Sequence, residues 1–128
     1  MATAAQYAAT PRAAVAVVSA ANTNRDGTTG TYVTVFTAGA SGSRIDDIRI
    51  TAAGTVTAGV VRLFVHDGTN GRLWQEVMVT ATTPSTTVQT FNTALLNQAL
   101  VLPTGYSLRA STNNAETFHI IVTRAGDF

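Results

Sequence analysis

Apolar residues recur at every second position along most of this chain, in short segments separated by Gly, Asn, Asp and Pro. That spacing is the period of half-buried strands, not of helices. The stretch 44–80 carries it most clearly and predicts three consecutive strands, 46–52 (DDIRITA), 58–66 (AGVVRLFVH) and 72–80 (RLWQEVMVT). Gly54 and Gly59 punctuate the first joint; Asp67-Gly68 and Asn70-Gly71 punctuate the second. In the first strand Ile48 and Ile50 point one way, with Asp47 and Arg49 opposite. Ile45 falls out of that phase, so a bulge or the end of a loop is expected near Asp46. In the second strand Val61, Leu63 and Val65 share one face, and Val60, Arg62, Phe64 and His66 the other. In the third, Leu73, Gln75, Val77 and Val79 alternate with Trp74, Glu76 and Met78. Folding about Gly68 and Thr69 sets Arg62 near Gln75 and Glu76, where Arg62 and Glu76 can pair across the hairpin.

The flanks repeat the pattern more faintly. Strands are expected over 13–20 and 32–36, the latter with Tyr32, Thr34 and Phe36 on one face and Val33 and Val35 on the other. Residues 22–30 (NTNRDGTTG) form a loop, as do 39–43. After a turn at 82–86 comes a Thr-rich strand, 87–93. The run 94–102 is ambiguous by period alone; an irregular or one-turn helical stretch followed by a short strand at 100–102 fits it best. Pro103-Thr104-Gly105 marks a turn, and strands 106–110 and 117–124 complete the series. Ile48, Ile50, Leu63, Val65, Val77, Leu108, Ile120 and Val122 are expected to face inward. About eight short antiparallel strands with no convincing helix predict an all-β sandwich, jelly-roll-like by preference, with an immunoglobulin-like Greek key second. The start of the chain is Ala-rich without an amphipathic face and is broken at Pro11, so residues 1–12 read as an N-terminal arm before a single domain at 13–128.

Composition changes this picture in one respect. At 128 residues the chain can bury a real core, yet only 12% of it is charged, against ~25% in ordinary domains. A surface so poor in charge is either covered by Thr, Ser, Asn and Gly or buried against partners. All eight basic residues are Arg and the net charge is +1; without a clustered basic face, nucleic-acid binding is not expected. No segment has the length and apolarity of a membrane-spanning helix, and the apolar run 13–18 that follows Arg12 is too short and weakly hydrophobic for a signal peptide, so secretion is not expected.

Chemistry is sparse. The chain has no cysteine, which removes disulfides, thiolate metal sites and Cys nucleophiles. His66 and His119 stand apart, and neither joins the three or four ligands that zinc requires. Asp46 and Asp47 are adjacent on a strand, so they point to opposite faces and form no carboxylate dyad. The loop 67–70 (DGTN) is too short for an EF-hand. Residues 39–43 (GASGS) lead into a strand and do not match a G-x-S-x-G elbow. No enzyme activity and no metal or organic cofactor are expected. Trp74, the chain's one Trp, is the candidate platform if the domain is instead a carbohydrate-binding module, although a core or interface position suits a Trp better.

Several phrases taken in order, Ala21-Asn22-Thr23-Asn24-Arg25-Asp26-Gly27, Thr57-Ala58-Gly59-Val60-Val61-Arg62-Leu63-Phe64 and Leu102-Pro103-Thr104-Gly105-Tyr106-Ser107-Leu108-Arg109-Ala110-Ser111-Thr112, followed by Glu116-Thr117-Phe118 and the closing Gly126-Asp127-Phe128, resemble small virion proteins of tailed bacteriophages. The resemblance spans most of the chain and is diffuse. It implies a β-sandwich head decoration (cement) protein, or else a small tail component, located in the virion and acting through protein–protein contacts. The partners it implies are phage capsid or tail proteins; the low charge content adds further copies of the chain, a homotrimer by preference because capsid lattices offer local three-fold sites. It transfers no catalytic residue. The arm and the loop 22–30 are then the expected reach toward a neighbour, with Arg12, Asn24, Arg25 and Asp26 as candidate inter-subunit or capsid contacts.

Overall fold

The computed structural model describes residues 9–128. These form nine strands and no helix: β1 (Thr10–Val18), β2 (Val33–Thr37), β3 (Ser43–Ala52), β4 (Gly59–His66), β5 (Gly71–Val79), β6 (Asn92–Leu95), β7 (Leu100–Leu102), β8 (Ser107–Thr112) and β9 (Phe118–Asp127). The part of the expected arm at 1–8 lies outside the described residues.

The pairing is nested. β4 pairs with β5 across the turn at 67–70, β3 pairs outside them with β6 and β7, β2 with β8, and β1 with β9, all antiparallel. The chain is thus one long hairpin whose tip is that turn. Asp67 fixes the tip: its Oδ1 accepts the amides of Thr69 at 2.9 Å and Asn70 at 2.7 Å, and Gly68 takes the φ of +96° that the reversal needs. Rolled up, the hairpin gives two sheets, ordered β1-β9-β3-β6 and β2-β8-β4-β5. This is the jelly-roll order. Nine strands fill its eight positions because β6 and β7 lie end to end along one edge of β3, opposite Ile48–Thr51 and Ser43–Ile45 respectively.

The inner faces meet in one apolar cluster. Val18, Ile45, Ile48, Ile50, Phe118, Ile120 and Val122 come from the first sheet, and Val35, Phe36, Val61, Leu63, Val77 and Leu108 from the second. Each such side chain stabilises the fold by roughly 1.5–3 kcal/mol through removal from water. The expected inward set is buried throughout, except that Val65 is only half-buried.

Bulges account for most departures from simple alternation. The break of phase near Asp46 is one: Ile45 faces Ala125 and Asp47 faces Arg124, leaving Asp46 as the extra residue. Two more are not visible as a break of pattern. Val35 is extra between the Thr34–Arg109 and Phe36–Leu108 pairs, so Val35 and Phe36 are both buried instead of facing opposite ways. Trp74 is extra between the Leu63–Gln75 and Phe64–Leu73 pairs, which moves Leu73 off the face of Gln75, Val77 and Val79. A bulge of this kind lets two consecutive side chains escape strict alternation.

The first sheet begins earlier than expected. Thr10, Pro11 and Arg12 belong to β1, paired with Asp127, Gly126 and Ala125. Pro11 is accommodated because β1 is an edge strand. Arg12 is held by Asp127 Oδ1 at 3.0 Å, by the Thr37 carbonyl at 2.7 Å and over the Phe36 ring at 4.0 Å. It therefore ties three strands of its own chain together. In the ambiguous run, β6 takes the place of the helical turn, and the expected strand over 87–93 is reduced to its last residues.

Candidate functional site

Both faces of β4 are covered. Val61 and Leu63 face the core, yet Val60, Arg62 and Phe64 on the other face are buried too. The cover is the β1–β2 connection, residues 19–32, which lies back over the outside of the β2-β8-β4-β5 sheet. Asn22 anchors it: its amide nitrogen donates to the Thr112 carbonyl at 2.8 Å, and its side-chain Nδ2 donates to the carbonyls of Thr29 and Thr31, both at 3.1 Å. Arg62 then reaches up from β4 and donates from Nη1 to the Asn22 carbonyl at 3.2 Å and from Nε to Glu76 Oε2 at 3.0 Å. Arg25, from the loop, meets the same Glu76 oxygen at 2.9 Å. Arg25, followed by Arg62, holds the Glu76 carboxyl below its usual range. Tyr32 closes the far end, edge-on to Phe64 with ring centroids 4.9 Å apart.

Sequence reasoning placed Asn24, Arg25 and Asp26 on this loop as contacts to a neighbour. The structure brings them together but uses their polar groups at home. Asn24 donates its backbone and side-chain N–H groups to Asn22 Oδ1. Asp26 accepts the Thr29 hydroxyl at 2.6 Å and the amides of Thr29 and Thr28, both at 3.0 Å. Led by the Thr29 hydroxyl, these bonds hold its carboxyl far below the ordinary carboxylate range. Arg25 and Asp26 still lie exposed on the outside of the molecule. Arg12 is distant in the sequence and on a different sheet.

Between this loop and the sheet lies a groove of about 450 Å³. Gly27, Thr28, Gly30, Thr31 and Tyr32 form its loop wall, while His66, Thr69 and Arg109 come from the end of β4, the turn after it and β8. Arg109 stands on the outward face of β8, between Thr34 of β2 and Phe64 of β4. Its Nε is buried without a hydrogen-bond partner. His66 Nδ1 accepts the Gly68 amide at 3.0 Å, which leaves the proton of the neutral ring on Nε2. Burial raises the Tyr32 hydroxyl above its ordinary value, with the nearby Asp26 charge adding to the effect.

Sequence reasoning missed Arg109. The only local signal was its position between inward-facing Leu108 and Ala110, which sends it outward; what it meets there depends on strand order. The other sites read from the sequence resolve as follows. Trp74 is half-buried and packs against the core cluster, in keeping with its place at a bulge and not with an open stacking platform. His119 is exposed on the outside of the first sheet. Asp46 and Asp47 hold the β6–β7 turn, accepting the amides of Ala99 at 3.1 Å and Asn97 at 2.9 Å. Among the described residues no group of three or more His, Cys, Asp or Glu could hold a metal ion.

No protein-family model matches the chain, and no curated protein matches it.

Proposed function

We propose that this protein is a structural component of a virion, a capsid decoration (cement) protein that works as a homo-oligomer through protein–protein contacts. One observation carries the reading: the two sheets are treated oppositely on their outsides. The β2-β8-β4-β5 sheet is covered by its own loop, whereas among the described residues nothing covers the apolar β1 edge of the other sheet. Val15 and Val17 point outward there, 68% and 50% exposed, with Ile121 beside Val15 on β9. Pro11 and the inward-facing Arg12 protect only the start of this edge; residues 13–18 carry no charge and no proline, and such an apolar edge is an open template for another chain. The 12% charge content gives the rest of the surface little to keep copies apart. A trimer is favoured because closed cyclic symmetry is the rule for homo-oligomers and capsid lattices offer local three-fold sites.

Light scattering of the purified protein, followed by co-sedimentation with undecorated capsids, tests this. A closed oligomer that pellets only with capsids is the expected result. A protein that ignores capsids and co-purifies with tails would replace decoration with a small tail role. A glycan-binding module would have to use a site other than Trp74, which packs against the core.

A further inference from the structure

Arg109 is a cation without an answer inside its own chain. Among the described residues its side chain makes no hydrogen bond and no ion pair, and its Nε is shut away from water as well. An unsatisfied buried donor costs more on a charged group than on a neutral one. Such a group in a native structure calls for a partner.

The two carboxylates adjacent in sequence to the groove's walls, beside Gly27 and His66, are already engaged. Asp26 is occupied by Thr28 and Thr29, and Asp67 by the amides of Thr69 and Asn70. Neither carboxylate lines the groove. What does line it is rich in donors: the guanidinium of Arg109, the imidazole of His66, and the hydroxyls of Thr28, Thr31 and Thr69, while the Tyr32 hydroxyl is turned to Asp26 Oδ1 at 3.4 Å. The volume of about 450 Å³ lies within the range of small-molecule sites.

We propose that this groove binds an oxyanion carried on a hydroxylated ligand the size of a single sugar, with the two Nη groups of Arg109 gripping the anion while its Nε stays sealed beneath. A guanidinium matches a carboxylate or a phosphate with two parallel hydrogen bonds. His66 supplies a third donor from the end of β4. The Thr hydroxyls both donate and accept, which suits the hydroxyls of a sugar ring and not an apolar group. The site is built only when the loop 19–32 is folded onto the sheet, because that loop supplies one whole wall. This binding does not depend on the assembly proposed above; the groove and the bare β1 edge lie on the outsides of different sheets.

The test is a titration of the full-length protein followed by NMR, watching the Arg109 Nε–H and the His66 ring resonances. The probes are glucuronate, glucose 6-phosphate and, as the uncharged control, glucose. Saturable shifts with either acidic sugar and none with glucose are expected; which acidic sugar shifts them at the lower concentration identifies the anion. Arg109→Gln should weaken that binding at least tenfold. Thr31→Val, on the exposed loop wall, keeps the charge and the shape and should weaken it less, which leaves a readout if the Arg109 variant fails to fold. No saturable shift with either acid overturns the proposal. So does binding to glucose as tight as to the acids, or acid binding that Arg109→Gln and Thr31→Val both leave unchanged.

Discussion

Gly27 and Gly71 pass backbone to backbone. A Cβ on Gly27 would lie 2.5 Å from the Gly71 carbonyl oxygen, and a Cβ on Gly71 would lie 2.5 Å from that of Gly27. This contact clamps the covering loop to the start of β5, and it explains why two of the chain's turn glycines, far apart in sequence, cannot carry a side chain. Gly27 also has a φ of +78°. Gly71→Ala should therefore lift the loop by sterics alone. Gly27→Ala should cost about 1–2 kcal/mol more, because a side chain disfavours the left-handed backbone. Urea unfolding of the two variants checks the order. Equal stabilities would mean that the loop relaxes freely off the sheet.

Arg62 and Glu76 show how far local pattern carries. Their pairing follows from the turn centre alone, and the structure has them opposed with Arg62 Nε 3.0 Å from Glu76 Oε2. The other half of Arg62's environment, the Asn22 carbonyl and Asn113 Oδ1, comes from residues 40 and 51 positions away. Arg62→Met removes the donor and strands these buried acceptors. It should destabilise the fold by about 1–3 kcal/mol in denaturant titration. A change below ~0.5 kcal/mol would place the side chain among ordinary surface residues.

The same division runs through the whole fold. Strand positions were legible because a sheet with one buried face writes its period into the sequence. The bulge at Asp46 was legible because Ile45 broke that period. The bulges at Val35 and Trp74 were not, since the apolar residues around them alternate without a break and only the partner strand reveals the extra residue. Nor could the pattern show that Phe64 is buried under a loop, or that β8 delivers Arg109 beside Phe64. Both depend on strand order, which a single strand does not encode.

Acid should weaken the protein. The carboxyls of Asp127, Glu76, Asp67 and Asp26 are all held below their ordinary values, Asp127 chiefly by the Ser43 hydroxyl and then by Arg12, and Asp67 by the amides of Asn70 and Thr69. Glu116 follows: burial raises it, but the Thr57 hydroxyl and amide outweigh that. A lowered folded-state pKa means that the unfolded chain binds protons first as pH falls. Stability from these groups is complete above the ordinary values of 4.5 for Glu and 3.8 for Asp, and drains away as pH drops through and below them. Melting temperatures between neutral pH and pH 2 should fall in that window, and Asp127→Asn should flatten the curve. A melting temperature that rises on acidification would contradict the assignment.

The turn joining β6 to β7 carries strain that one substitution should release. Ala99 sits at a φ of +50°, where a side chain meets its own backbone. Its amide is nonetheless pinned to Asp46 Oδ1, and the Gln98 amide to the Asp46 carbonyl at 2.8 Å, so the turn cannot relax. Ala99→Gly should stabilise the protein by about 0.5–1 kcal/mol, the relief of strain being partly offset by the freer unfolded chain. Thermal unfolding that shows a loss would mean that the turn adopts another backbone in solution.

The bare edge of β1 gives the sharpest test of assembly. Val15 is 68% exposed and Met78, on the edge strand of the other sheet, is 73% exposed. Burial therefore does not distinguish them, and a charge at either position should change monomer stability by no more than about 0.5 kcal/mol. Their surroundings differ. Val15 has Val17 on its own strand and Ile121 beside it, an apolar strip, whereas the neighbouring outward position to Met78 on β5 is Glu76. If copies meet along β1, Val15→Glu places an unpaired charge in that contact, a loss large enough to dissociate a modest interface. Light scattering should then report a monomer for Val15→Glu and the parent's oligomer for Met78→Glu, with both variants melting cooperatively. Capsid co-sedimentation should follow the same division. An oligomer unaffected by Val15→Glu but broken by Met78→Glu would move the contact to the β5 edge, and with it the choice of which sheet faces the shell.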